Sequence, residues 1–230
     1  MQEGLHYTLF EKLAQKYPSA VSLLNVQYRM HEQIMEYPSK ALYEGRLKAD
    51  STVKNWTLLN DLVPFVFVDT AGSGFEETQI DSATFNLEEA HFLRKHLTET
   101  LLNIEASYLG KPFPKIGVIA PYRRQVALLK EVIHEDEKLN PFLKNIQINT
   151  IDSFQGQEKD VVYISLTRSN DEQQIGFLSD VRRMNVAITR AKKKLIIIGD
   201  SSTVGQHPFY QGLLSFAESV GQYRSIWEWV

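Results

Sequence analysis

Three groups of residues in this chain have the types and spacing for work on phosphates and bases. Between positions 182 and 194 stand Arg182, Arg183, Arg190, Lys192, Lys193 and Lys194, with no acid among them. On a helix over 180–192, Arg183 and Arg190 point the same way, about 10 Å apart along the axis. A guanidinium fixed like this suits bidentate contact with phosphate oxygens, or stabilisation of a phosphoryl group in transit. Gln27-Tyr28-Arg29 offers a ring that can stack on a base and a cation that can reach a phosphate. In 150–158, the hydroxyls of Thr150 and Ser153 can donate to strand phosphates. Gly156 admits a close backbone approach, and Glu158 can accept a hydrogen bond from a ribose hydroxyl. Taken singly, each group also has a plainer reading: a solvated basic face, a surface aromatic beside an exposed arginine, and an ordinary polar turn.

The elements that position these groups follow from hydrophobic periodicity. A helix is expected over 3–16 from Leu5, Leu9 and Leu13, and a short strand over 20–24. A second helix is expected over 31–43, kinked or stopped at Pro38, with Gly45 past its end. The apolar run 64–69 is a buried strand. Segment 70–84, glycine-rich and acidic without periodicity, is expected to be a mobile loop, its acids at 76–81 solvated. Ala90, Leu93, Leu97, Leu101 and Ile104 form the stripe of a helix over 87–104, with Asn86 as N-cap and Glu88 and Glu89 in the first turn. Further strands are expected at 115–120, 146–150, 161–166 and 195–198, and helices at 121–138, 180–192 and 208–220. Apolar strands alternating with helices indicate an α/β fold, a mainly parallel sheet with helices on both faces. The active groups then fall on the connections, where such sheets place their ligands.

Composition narrows the function classes. The 230 residues, 43% hydrophobic, suffice for one domain with a substantial core. The chain has no cysteine, which excludes a disulfide framework and fits a reducing, cytoplasmic setting. No apolar run approaches the roughly 20 residues of a membrane span. A net charge of −3 excludes generic basic binding of nucleic acid, so any such contact is local to 182–194. His31, His91, His96, His134 and His207 lack metal-ligand spacing and are expected at the surface or as caps, so no metal site is expected here. Trp56, Trp227 and Trp229 are expected to serve packing.

In combination and in order, the motifs resemble the second RecA-like domain of superfamily 1 helicases, over about 5–220. The likeness is to the branch of the RNA-surveillance and immunoglobulin-mu-binding helicases. Val26-Gln27-Tyr28-Arg29-Met30-His31 looks like the fourth helicase motif, 150–158 like the fifth and 182–190 like the sixth, while Pro121-Tyr122-Arg123-Arg124-Gln125 looks like the motif between fourth and fifth. The resemblance implies that Tyr28 packs on adenine and that Arg29 and Arg190 are arginine fingers on the γ-phosphate. It implies that Gly156 and Glu158 approach the nucleotide, with Arg183 in or bracing that site, and that Pro121, Tyr122, Thr150 and Ser153 lie along a single strand. It also implies ATP with magnesium and a partner RecA-like domain. No Gly-x-x-x-x-Gly-Lys-Ser/Thr phosphate loop occurs in the 230 residues, and Asp171-Glu172 follows a polar run instead of a strand. Phosphate loop and magnesium ligands are therefore expected on an N-terminal domain absent from this chain. The expected substrate is single-stranded nucleic acid, DNA ahead of RNA. The rival readings are a non-catalytic strand-binding module and a different phosphate-binding α/β enzyme such as a nucleotide kinase.

Overall fold

The computed structural model describes residues 9–59, 63–108 and 112–229. In chain order the elements are α1 (Leu9–Lys16), β1 (Val26–Gln27), α2 (Glu32–Leu42), β2 (Lys48–Ala49), β3 (Phe65–Asp69), β4 (Thr78–Ile80) and β5 (Ala83–Phe85). There follow α3 (Leu87–Ser107), β6 (Ile116–Ala120), α4 (Arg123–Glu135), β7 (Ile146–Thr150), β8 (Lys159–Ser165) and α5 (Val181–Ile188). The chain closes with β9 (Ala191–Gly199), α6 (Ser201–Val204), α7 (Pro208–Ser219) and β10 (Tyr223–Ser225).

Six strands form one sheet in the order β10-β3-β9-β8-β6-β7, and every neighbouring pair is parallel. The near-continuous apolar runs of the central strands are the signature of burial on both faces. Successive side chains alternate between them. Phe65, Phe67, Val162, Ile164, Leu195 and Ile197 pack under α2, α5 and α7. Val66, Val68, Val161, Tyr163, Ile196 and Ile198 pack under α3 and α4. Burying one such side chain contributes roughly 1.5–3 kcal/mol, so these two layers outweigh any local propensity in holding the fold. Among the described residues, no helix is long and apolar enough to cross a membrane.

Several expectations need correction. Residues 1–8, the start of the expected first helix, lie outside the described residues. The run 20–24 is not a strand: Val21, Leu23 and Leu24 are exposed and the edge beside β3 is taken by β10. α2 does not stop at Pro38 but runs on to Leu42, with Pro38 buried and Tyr37 packed on Phe209 and Phe216 of α7. Segment 70–84 is not an unpatterned loop. It carries most of the β4–β5 hairpin, and Glu77, far from being solvated, has a side chain only 5% exposed. α5 ends at Ile188, four residues early, because Ala191 already pairs with Lys159 in the sheet. His96 is neither surface nor cap: it is half enclosed against the Tyr163 hydroxyl at 2.8 Å, and burial holds its pKa down to about 4. His31 and His207 do cap α2 and α7.

Glu89 also departs from expectation. Asn86 caps α3 as predicted, yet Glu89 is fully buried; its Oε1 accepts from the Ser165 hydroxyl and the Thr167 amide, while Oε2 has no partner. Burial pushes its pKa up to about 7, despite the opposing hydrogen bonds. An unfolded chain releases this proton near pH 4.3. The folded state therefore binds more protons between the two values, and stability falls as pH rises from about 4.3 through about 7, then levels off. Relative to Glu89→Gln, the wild-type chain is expected to lose on the order of 3 kcal/mol of unfolding free energy across that window, read from urea denaturation. A pH-independent difference between the two would contradict this assignment.

Candidate functional site

At the beginnings of β8 and β9, one group of predicted residues converges. Gln27 makes the turn that presents them: its Oε1 accepts from the amides of Arg29 and Met30, both at 2.8 Å, and its Nε2 donates to the Met30 carbonyl. This local closure leaves Tyr28 outward, 68% exposed. It sends the Arg29 guanidinium across to Glu158, with Nε 3.0 Å from Oε2 and Nη1 donating to the Thr189 carbonyl. Lys192 takes the other oxygen of Glu158 at 2.5 Å. The Lys192 hydrogen bond leads the causes that hold the Glu158 carboxyl below its ordinary value, with Arg29 adding to it.

Arg190 stands in the turn before β9, 9% exposed. It donates from Nε to the Val186 carbonyl, from Nη1 to the Gln157 carbonyl and from Nη2 to the Thr189 hydroxyl. Burial, then repulsion from Arg29, lowers its pKa, while Glu158 pulls the other way. Arg29, Arg190 and Lys192 thus share one nearby carboxylate, a local excess of positive charge that suits an anion. Gly156 lies in the same connection with φ +80, a conformation that needs glycine, and open space where a Cβ would be.

The second group lies at the opposite end of the parallel strands, past the ends of β6 and β7. Pro121, Tyr122, Thr150, Ser153 and Arg183 line a cavity of about 620 Å³, together with Arg123, Arg124, Asp152, Phe177 and the β5 side of the hairpin. Ala120 and Thr150 are partners in register, so the two strands end level at its floor. The Thr150 and Ser153 hydroxyls are 3.2 Å apart. Arg183 belongs here and not beside Arg190. Because α5 ends at Ile188 the two arginines do not share a helix face, and Arg183 pairs with Asp152 at 3.4 Å and with Asp180.

The AAA domain family matches this chain over residues 5–202. The chain belongs to that family. The DNA polymerase alpha-associated DNA helicase A of Saccharomyces cerevisiae is 40% identical over 86% of this chain. An uncharacterised ATP-dependent helicase of Methanocaldococcus jannaschii is 38% identical over 95%. The DNA-binding protein SMUBP-2 of Rattus norvegicus is 35% identical over 99%. These AAA-domain relatives are superfamily 1 helicases of the branch that the motifs resemble. The chain covers 30%, 32% and 23% of their respective lengths, about a third or less of each.

Within this AAA domain, sequence reasoning missed the residues that hold the named ones. Gln27 stands in the motif at 26–31 without a base- or phosphate-binding chemistry to mark it. Lys192 reads in the sequence only as part of a basic patch. It lies 5.5 Å from the exposed ring of Trp56, as Lys193 does at 4.8 Å. Asp152 had no signal beyond its place beside Ser153. Arg168 and Glu77, distant in sequence, form a buried pair at 2.7 Å with side chains 6% and 5% exposed. Glu77 also accepts from the Ser169 amide and the Asn170 side chain, and Arg168 donates to the Tyr122 hydroxyl. Among the described residues no cluster of three or more His, Asp or Glu is arranged to hold a metal ion.

Removing one partner of a buried pair strands the other charge. Glu77→Ala is expected to cost about 3–5 kcal/mol in chemical denaturation, and the exposed neighbour Glu76→Ala less than about 0.5 kcal/mol. Equal, small effects would show that the pair does not anchor the hairpin.

Proposed function

We propose that the 230 residues form one domain, the C-terminal RecA-like half of an ATP-dependent helicase or translocase. The observation that carries this reading is the gathering of Arg29, Arg190 and Lys192 around Glu158, beside the outward ring of Tyr28. ATP is bound between this domain and a phosphate-loop domain elsewhere in the full-length protein. Tyr28 packs on the adenine, and the Gly156 backbone approaches the phosphates. Glu158 accepts from a ribose hydroxyl while Lys192 keeps hold of its other oxygen. Arg29 exchanges Glu158 for the γ-phosphate, where Arg190 joins it, so two guanidinium groups meet the charge that develops on the transferred phosphoryl group. Glu158 is already engaged by two cations and does not fit as a magnesium ligand. Magnesium ligands are assigned to the phosphate-loop domain.

The groove past β6 and β7 is proposed as the track for a single strand. Thr150 and Ser153 donate to its phosphates, and Arg183, Arg123 and Arg124 supply cations. Two relatives, a DNA helicase and a DNA-binding protein, favour DNA over RNA. The missing cysteine suits the cytoplasm, where we place the protein. Segments 151–158 and 180–190 each have one end at the track and the other at the nucleotide residues, which supports coupling of strand grip to ATP turnover.

In the full-length protein, Arg190→Ala is expected to lower kcat for ATP by about 10³-fold or more, with a smaller change in KM. Hydrolysis at the wild-type rate would remove the arginine-finger role of Arg190.

A further inference from the structure

Tyr122, the aromatic residue expected along the strand, is only 7% exposed and its hydroxyl is occupied. The large ring that does face the groove belongs to its neighbour Phe177, 59% exposed. We propose that Phe177 is the platform on which one base of the bound strand stacks, with Tyr122 and Arg168 as its buried support; this rests on reading the groove as the strand track.

The support is unusually rigid for an exposed residue. The Phe177 and Tyr122 rings lie 5.2 Å apart at 49°. The Phe177 amide donates to the Tyr122 hydroxyl at 3.3 Å, and Arg168 donates to the same oxygen at 3.1 Å. Gly176, at φ +52, presses so close that a Cβ there would meet the Arg168 guanidinium at 2.3 Å and the Tyr122 hydroxyl at 2.4 Å. On the other side Leu178 is buried, and its carbonyl accepts from the Tyr210 hydroxyl at 2.8 Å. The backbone on both sides of Phe177 is therefore pinned, and the ring loses little freedom when a base lands on it. Arginines 123, 124 and 183 on the same cavity provide for phosphates what Phe177 provides for a base, the pairing of stacking face and cations found in single-strand grooves. The 3-10 turn Gly176–Ser179 that carries Phe177 leads directly into α5, whose far end delivers Arg190. A base seated on Phe177 thus bears on the element that holds the catalytic arginine.

The test measures binding of a short fluorescein-labelled thymidine strand, and of the same backbone made abasic, to the full-length protein. Phe177→Ala and Phe177→Leu are expected to weaken the thymidine strand by about 5- to 100-fold and to leave the abasic strand nearly unchanged, while Phe177→Trp keeps wild-type affinity. Equal losses on both strands, or no loss on either, would overturn the stacking role. Arg183→Ala combined with Thr150→Ala separates the two readings. If that variant binds both strands like wild type, the groove is not the track. If it weakens both while Phe177→Ala weakens neither, only the platform is lost.

Discussion

A parallel sheet obliges every connection to travel back along the full length of the strands, because each strand must start where its neighbour starts. Two of these returns organise this molecule. Segment 151–158 runs from the end of β7 to the start of β8, and the stretch through α5 runs from the end of β8 to the start of β9. They lie side by side on one face, with Ile151, Phe154, Met184, Ala187 and Ile188 in a common core. They are also joined at both ends: Arg183 to Asp152 near the groove, and the Arg190 guanidinium to the Gln157 carbonyl near Glu158. A displacement of one connection at the groove therefore cannot leave the other end indifferent. Packed layers of this kind shift as units instead of deforming continuously.

Charge is distributed to match. The chain is net negative, yet both ends of the paired connections are rich in cations. At the β8–β9 start, three cations attend Glu158, so part of their charge is already neutralised and Arg29 is held ready in a defined place. At the groove, Arg183 is moderated by Asp152 and Asp180. These pairs are exposed enough to contribute little to stability. What they fix is orientation, and in the proposed sites a guanidinium held in place before a ligand arrives loses less freedom on binding.

Much of this was legible in the sequence, for identifiable reasons. Long apolar runs report burial on two faces, so the sheet, its central strands and helices α3, α4 and α7 could be placed from periodicity alone. The motif residues could be named because they are close in sequence to strand ends. What escaped was held by long-range pairing. Glu77 looked like one acid among several in a polar stretch, and its partners Arg168, Ser169 and Asn170, 91 to 93 positions away, make it a buried anchor. Glu89 looked like a first-turn acid suited to the helix dipole until β8 folded over it. The Arg183–Arg190 geometry failed because sheet pairing at Ala191 ended the helix that would have aligned them. Phe177 gave no periodic signal, and its exposure follows from neighbours pinned by Tyr122, Arg168 and Tyr210.

The central claim is that this chain supplies half of a nucleotide site whose other half lies on a separate domain. The most direct measurement is ATP hydrolysis by the 230-residue chain and by the full-length protein, each with and without single-stranded DNA and RNA. The account predicts a silent chain, and a full-length protein stimulated by one of the two nucleic acids. ATP turnover by the 230 residues alone would contradict it.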